Sequence, residues 1–319
     1  MTSRDYDAVE NLAKTFTRMA NLPFSELTYL SFVKGADRER MEIDEKRIED
    51  MVKEWFRKTA AYEWRRLRRN PYHQIEFIVT IHFLEKYLPK HGLVLDGGGG
   101  PGRYTIELAK RGYEVVLLDL VTDMLQLAQK RIRRAGVLRR VKQFVQGSIE
   151  DLSMFPDETF DAALCLGGPL CHLLNTTQRE KAARELVRVA KKGAPILASV
   201  ISRIGLLRSI LVDFPHEMQY AKHHWEVGDY IPGLQGEGFT AAHWFLPEEL
   251  RGLFEVHNVE VLEMAGLEGL SSHHEKETNR LFKDREKWKT WIDILLKTCT
   301  HPSLVGSSEH FLLVCRKAV

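Results

Sequence analysis

Apolar residues along the chain recur at two different spacings. From about Glu42 to Arg69, Ile48, Met51, Val52, Trp55, Phe56 and Tyr62 share one helical face with charges opposite, and Asn70-Pro71 breaks the run. Upstream, Val9, Leu12, Ala13 and Phe16 keep the same spacing, and Ser25 can cap a second helix that Gly35 ends; a further helix spans Tyr72 to Tyr87. The spacing then shortens to buried strands: Leu93-Val94-Leu95, Val115 to Leu118, Val141 to Val145, Phe160 to Leu166 and Ile196 to Val200. Helical patterns separate them, through Tyr104, Leu108 and Ala109, then Leu125, Ala128 and Ile132, then Ala183, Leu186, Val187 and Ala190. Thr177 and Glu180 form a capping box for the last of these. Strands alternating with helices predict an α/β doubly wound, Rossmann-like sheet.

Regularity lapses from Gly205 to Phe245, where Tyr220, His223, His224, Trp225, Tyr230, His243 and Trp244 collect. That stretch reads as a helical cap inserted over a site. Pro247-Glu248-Glu249-Leu250 restarts a helix, Val259 to Met264 forms a sixth strand, Leu281 to Leu295 a helix, and Phe311 to Cys315 the last strand. The expected organisation is a helical lid over 1–90, a cofactor-binding core over 91–204, the cap over 205–245 and a completion of the core over 246–319.

Composition alters little. With 319 residues, 44% apolar and 28% charged, the chain is an ordinary globular mixture, and a net charge of +2 gives no sign of a dedicated nucleic-acid binder. Four cysteines without a C-x-x-C pair read as reduced, buried thiols, and no apolar run is long enough to cross a bilayer, so a cytoplasmic protein without a membrane partner is expected. The cap histidines lack a metal-ligand spacing, and no metal is expected. Arg65, Arg66, Arg68 and Arg69 read as a solvated helix end, or else as a phosphate-binding patch.

The chemistry centres on Asp96-Gly97-Gly98-Gly99-Gly100-Pro101-Gly102, which follows the first strand. Consecutive glycines sacrifice backbone entropy where something must approach the main chain closely. Gly97, Gly99 and Gly102 satisfy the dinucleotide pattern G-x-G-x-x-G, while Asp96, Gly98, Gly100 and Gly102 satisfy D-x-G-x-G-x-G. The second pattern resembles motif I of the class I S-adenosylmethionine-dependent methyltransferases, close to the small-molecule group labelled type 11. A carboxylate at the mouth of the loop repels a pyrophosphate and suits an ammonium, which favours this reading over a nicotinamide-dependent one. Gly147-Ser148-Ile149-Glu150-Asp151-Leu152 is similar to the family's G-D-x-x-D-L adenine turn, with Ser148 where an acid is usual.

The resemblance covers 92–200 and about 246–316. It implies a seven-stranded sheet closed by a carboxyl-terminal antiparallel hairpin, with S-adenosylmethionine as cofactor. By resemblance, Asp96, Gly98 and Gly100 hold the methionine moiety, Asp119 the ribose, and Leu120, Ser148 and Ile149 the adenine, with Arg103 and Leu166 as further candidate cofactor contacts. The implied activity is methyl transfer to a small, aromatic or partly apolar acceptor. His172 is the candidate base, and Tyr62, Tyr230, His243 and His310 are candidate acceptor contacts; Glu309 is a weaker candidate. An RNA or protein acceptor, an NAD(P)-dependent oxidoreductase and a cofactor-binding module without turnover remain open. Oligomeric state and the acceptor's identity are not legible.

Overall fold

A computed structural model describes residues 45–236 and 238–319; the helices expected around Val9–Phe16 and Ser25–Gly35 lie outside the described residues. Two helices precede the sheet, α1 (Glu45–Arg66) and α2 (Pro71–Tyr87). Asn70 separates them by capping α2, its side chain accepting the His73 N–H, with Pro71 at the first helical position.

Strands and helices then alternate: β1 (Leu93–Gly97), α3 (Arg103–Lys110), β2 (Glu114–Asp119), α4 (Thr122–Arg134), β3 (Val141–Gln146), β4 (Ala162–Cys165), α5 (Thr176–Val189) and β5 (Pro195–Ile201). Helix α5 starts earlier than the expected capping box: Asn175 caps it, accepting the Thr177 N–H at 2.8 Å. The chain then leaves the sheet through α6 (Arg203–Val212), α7 (Ala221–Glu226) and a small antiparallel ribbon of β6 (Asp229–Tyr230) and β7 (Ala242–His243). It returns through α8 (Pro247–Glu255), β8 (Val259–Gly266), α9 (Glu275–Leu281), α10 (Arg285–Thr298), α11 (Pro302–Val305) and β9 (His310–Lys317).

The seven-stranded sheet has the order β3-β2-β1-β4-β5-β9-β8. β1 to β5 pair in parallel, and β9 runs antiparallel between β5 and β8, with Ile201 opposite His310 and Gly266 opposite Phe311. The expected fold class is therefore the observed one. Interior strands are buried on both faces, which is why they read as unbroken apolar runs. Successive residues serve opposite layers: Leu95 and Val116 pack with Leu186 and Phe254, while Val94 and Val115 pack with Ile75, Val79 and Leu108.

Arg203, only 3% exposed, fastens the 203–245 excursion to the core. Its guanidinium donates to both Glu249 oxygens at 2.7 and 2.9 Å and to the Trp244 carbonyl at 3.0 Å. β1 to β3 progress outward in one direction, and β4 resumes on the other side of β1. A crevice opens at that reversal, above the carboxyl ends of β1 and β4.

Candidate functional site

The floor of the crevice is main chain. Gly98, Gly100 and Gly102 adopt φ of +71°, +53° and +80°, which L side chains resist. Gly98 and Gly99 both donate their N–H to the Leu118 carbonyl, at 2.7 and 3.1 Å, tying the loop to the end of β2. Packing excludes side chains as well. A Cβ on Gly98 would lie 2.4 Å from Pro169 Cγ, and one on Gly99 2.3 Å from Leu117 and 2.6 Å from Asp96 Cγ.

Above this floor lies a cleft with about 1190 Å³ of empty space, counting the part open to solvent. Gly98, Gly100, Arg103, Asp119, Leu120, Ser148, Ile149, Leu166 and His172 all line it. Asp119 is held rigidly, Oδ2 accepting the Gly100 N–H and Oδ1 the Val121 N–H, both at 2.8 Å. Each oxygen keeps a lone pair for a further donor. Burial pushes this carboxyl up to about 6. The Ser148 hydroxyl oxygen accepts the Glu150 N–H at 3.3 Å, which shapes the turn opposite.

Asp96 corrects the sequence reading. It is fully buried beneath the loop and does not line the cleft. Oδ2 accepts the Thr105 hydroxyl from α3 at 2.5 Å, Oδ1 has no hydrogen-bond partner among the described residues, and burial pushes the carboxyl up to about 6. Glu63, on α1, does line the cleft, 3.3 Å from Arg66 Nε. In sequence this pair shows as an i, i+3 spacing within Tyr62-Glu63-Trp64 and Arg66-Leu67, a stretch that resembles family members with a helical amino-terminal lid.

Arg66, also on the cleft wall, donates to both Glu76 oxygens at 2.5 and 3.0 Å. Behind it, His310 Nδ1 lies 2.8 Å from Glu268 and 3.9 Å from Glu76. Burial opposes a charge on His310, but Glu268 and Glu76 outweigh it and raise the imidazole to about 9. Burial likewise opposes charge on Glu76, and Arg66 and His310 overcome it and hold the carboxyl below its ordinary range. Glu76, Glu268 and His310 bring ligand-type atoms within 4.8 Å of one another; the positive charges of His310 and Arg66 face the two carboxylates.

Arg103 packs its guanidinium 4.0 Å from the Trp64 ring centroid and donates to the Trp64 carbonyl. Its Nε is buried without a hydrogen-bond partner among the described residues, and burial together with Arg68 pushes the group down to about 10. An anion in the cleft would relieve that deficit.

His172 ends the turn after β4, beyond Gly167 and Gly168 with φ of +81° and +91°. Nδ1 donates to the Ala241 carbonyl at 3.0 Å. The Phe56 ring meets it edge-on at 5.0 Å, and Phe239 lies at 5.8 Å. Burial pushes the imidazole down to about 4. Phe56 had been legible only as part of a helical stripe.

The structure does not bring the remaining candidates to the cleft. Tyr62 is 42% exposed and bonds Arg69. Tyr230 is buried in the excursion, its oxygen accepting the Phe239 N–H at 3.2 Å. His243 Nδ1 is 2.6 Å from Asp229, His310 sits in the ionic group behind Arg66, and Glu309 accepts the Tyr72 hydroxyl. The basic cluster is divided among carboxylates: Arg66, Arg68 and Arg69 face Glu76, Glu107 and Glu275, and Arg65 Nε bonds the Ala61 carbonyl.

Residues 94–193 match a family described as "Methyltransferase domain". The core is that of a class I S-adenosylmethionine-dependent methyltransferase. The ubiquinone/menaquinone biosynthesis C-methyltransferase UbiE of Citrobacter koseri is 37% identical to this methyltransferase core over 113 residues, 34% of this chain and 43% of the relative. The chain thus spans less than half the length of the curated relatives it matches. In fold, a SAM-dependent methyltransferase of Methanosarcina mazei aligns with a TM-score of 0.52 at 21% identity, covering 74% of this chain and 97% of that one. A Burkholderia thailandensis 1,6-didemethyltoxoflavin-N1-methyltransferase aligns with a TM-score of 0.52 at 16% identity, covering 86% and 91%.

S-adenosylmethionine suits the residues of the methyltransferase cleft. Asp119 offers two acceptors to a diol, the glycine floor admits close approach, and the cationic Arg103 lines the same cleft as a partner for a carboxylate. Among the described residues no helix is long and apolar enough to cross a membrane.

Proposed function

We propose that the chain is a methyltransferase that uses S-adenosylmethionine to modify a small, partly apolar acceptor. Asp119 carries this reading: a rigid carboxylate with spare lone pairs at the end of β2, beside a bare glycine floor. When bound, S-adenosylmethionine supplies an electrophilic methyl group on a sulfonium. In this assignment Asp119 holds the ribose hydroxyls, and Leu120, Ser148 and Ile149 enclose the adenine. The main chain at Gly98 and Gly100 meets the amino-acid end, with Arg103 for its carboxylate and Glu63, in place of Asp96, for its ammonium. Leu166 closes the wall above them.

The acceptor is assigned to the opposite end, among Phe56, Pro169, His172 and Leu173, all of which line the cleft. Apolar walls there exclude water and position a planar molecule. UbiE, named for quinone biosynthesis, supports a small molecule as the acceptor, and the paired arginines of 65–69 give no support to a nucleic acid. Helix α1 and the 205–245 excursion would act as the two parts of a cover.

Calorimetry with S-adenosylhomocysteine tests the reading. Wild-type protein binds it, NADH produces no heat, and Asp119→Ala weakens S-adenosylhomocysteine at least about 100-fold by removing two charge-assisted hydrogen bonds. A folded sample that ignores S-adenosylhomocysteine refutes the proposal.

A further inference from the structure

We propose that the surface around Leu138, at the far end of α4 and the start of β3, docks this chain on an anionic lipid bilayer. This goes beyond the methyltransferase reading and does not depend on it. Seven cations fall between Lys130 and Lys142, and no Asp or Glu occurs from Met124 to Ile149. The whole chain carries only +2, so the remainder is net negative and the positive charge is concentrated here.

The fold keeps these side chains in solvent. Lys130, Arg133, Arg134, Arg139, Arg140 and Lys142 are exposed. Arg140 donates to the Gly112 carbonyl at 3.0 Å, Lys142 lies 2.6 Å from Glu114, and Arg131 packs over the Trp64 ring at 4.8 Å. Lys130, Arg133, Arg134 and Arg139 have no carboxylate partner among the described residues. In this they differ from Arg66, Arg68 and Arg69, each of which faces an acid. The macrodipole of α4 suits Arg131, Arg133 and Arg134 in its last turn. It offers nothing to Arg139, Arg140 and Lys142, which lie beyond the helix end.

Two kinds of polyanion answer that charge, and Leu138 separates them. Leu138 to Arg140 form one short helical turn, and the leucine is 37% exposed in the middle of the basic run. An alkyl side chain gains nothing against a sugar–phosphate backbone, whose contacts are made by hydrogen-bond donors. Beneath lipid headgroups it leaves water, while the flanking guanidiniums stay at phosphate level. Residues 130–142 also hold no aromatic side chain on which a base would stack. A basic group of this size is drawn to an anionic leaflet within a Debye length. The expectation of no membrane partner rested on the lack of a spanning segment, which surface attachment does not need.

Docking here leaves the cleft open. Val121 and Met124, at the start of α4, line the cleft, and the 13 residues of the helix carry the basic end about 20 Å away.

Co-sedimentation tests the proposal, with vesicles of phosphatidylcholine alone or with about 30% phosphatidylglycerol, at about 100 and about 500 mM NaCl. Wild-type protein is expected to bind the anionic vesicles at least about tenfold more tightly than the neutral ones, and to lose that preference at high salt. Arg134→Glu combined with Arg139→Glu should weaken vesicle binding at least about tenfold, and Leu138→Ser about threefold or more. Melting temperature and S-adenosylhomocysteine affinity stay at wild-type values in both. A DNA duplex of about 20 base pairs, added at equal phosphate concentration, is the competitor. Three results overturn the proposal: no preference for anionic vesicles, unchanged vesicle binding in either variant, or a duplex that strips the protein from the vesicles. The last would assign the surface to nucleic acid instead.

Discussion

Buried charge lies on two sides of the cleft and is held in opposite ways. At the glycine loop, Asp96 and Asp119 have only a hydroxyl and backbone N–H groups as hydrogen-bond partners, and burial, helped at Asp119 by the nearby Asp96 charge, raises both carboxyls to about 6. Behind α1, Glu76 and His310 meet full charges. Burial acts against them too, yet Glu76 is held below its ordinary range and His310 rises to about 9. Depth is shared by the two groups; the kind of partner differs and decides the sign. The loop side keeps carboxyls that are costly to ionise, while the α1 side is an ionic lattice that holds the Arg66 side of the wall in place.

Glu76→Ala should break this contrast most severely. It leaves Arg66 and His310 facing a void, and urea unfolding should show a loss of about 3–5 kcal/mol; a loss below about 1 kcal/mol would mean the lattice carries little. His310 tests the same side through pH. Its folded value lies above the ordinary 6.5, so its stabilisation is complete below pH 6.5 and disappears as pH rises through about 9. Urea midpoints should fall across that window by the equivalent of roughly 3 kcal/mol, and His310→Gln should flatten the slope.

The smallest effect has the opposite sign. Asp96 has a folded value above its ordinary 3.8, so its contribution falls as pH rises from about 4 to about 6. Asp96→Asn removes a penalty of about 3 kcal/mol at pH 7.5 but exchanges a charge-assisted Thr105 hydrogen bond, worth about 2 kcal/mol, for a neutral one, so the net gain should be about 1 kcal/mol, with S-adenosylhomocysteine affinity changed less than about threefold. A tenfold loss of affinity would restore Asp96 to the role its motif suggested.

How far the molecule was legible follows the same division. β1, β2 and β4 are short runs buried on both faces, and acids and glycines mark their ends, so the sheet and the cleft floor could be read in order. The direction of Asp96 could not, because D-x-G-x-G-x-G is identical whether the carboxylate rises into the cleft or turns down to Thr105; helix α3 decides. The surroundings of His172 are assembled from Phe56, Phe239 and Ala241, which lie on separate segments of the chain. Periodicity placed Phe56 on a helical stripe and composition marked the aromatic excursion, but neither says which rings converge. Likewise the four arginines of 65–69 looked like one patch, until distant carboxylates on α2, α3 and α9 divided them.

Strand β9 has a consequence for how the chain is made. It is synthesised after every other strand of the sheet, yet it occupies an interior place between β5 and β8, and Phe311 to Cys315 are wholly buried there. Until it arrives, the nascent protein carries two unsatisfied hydrogen-bonding edges flanked by apolar surface, an invitation to pair with other chains. Shielding by chaperones matters most in the interval that closes once residue 317 clears the ribosome.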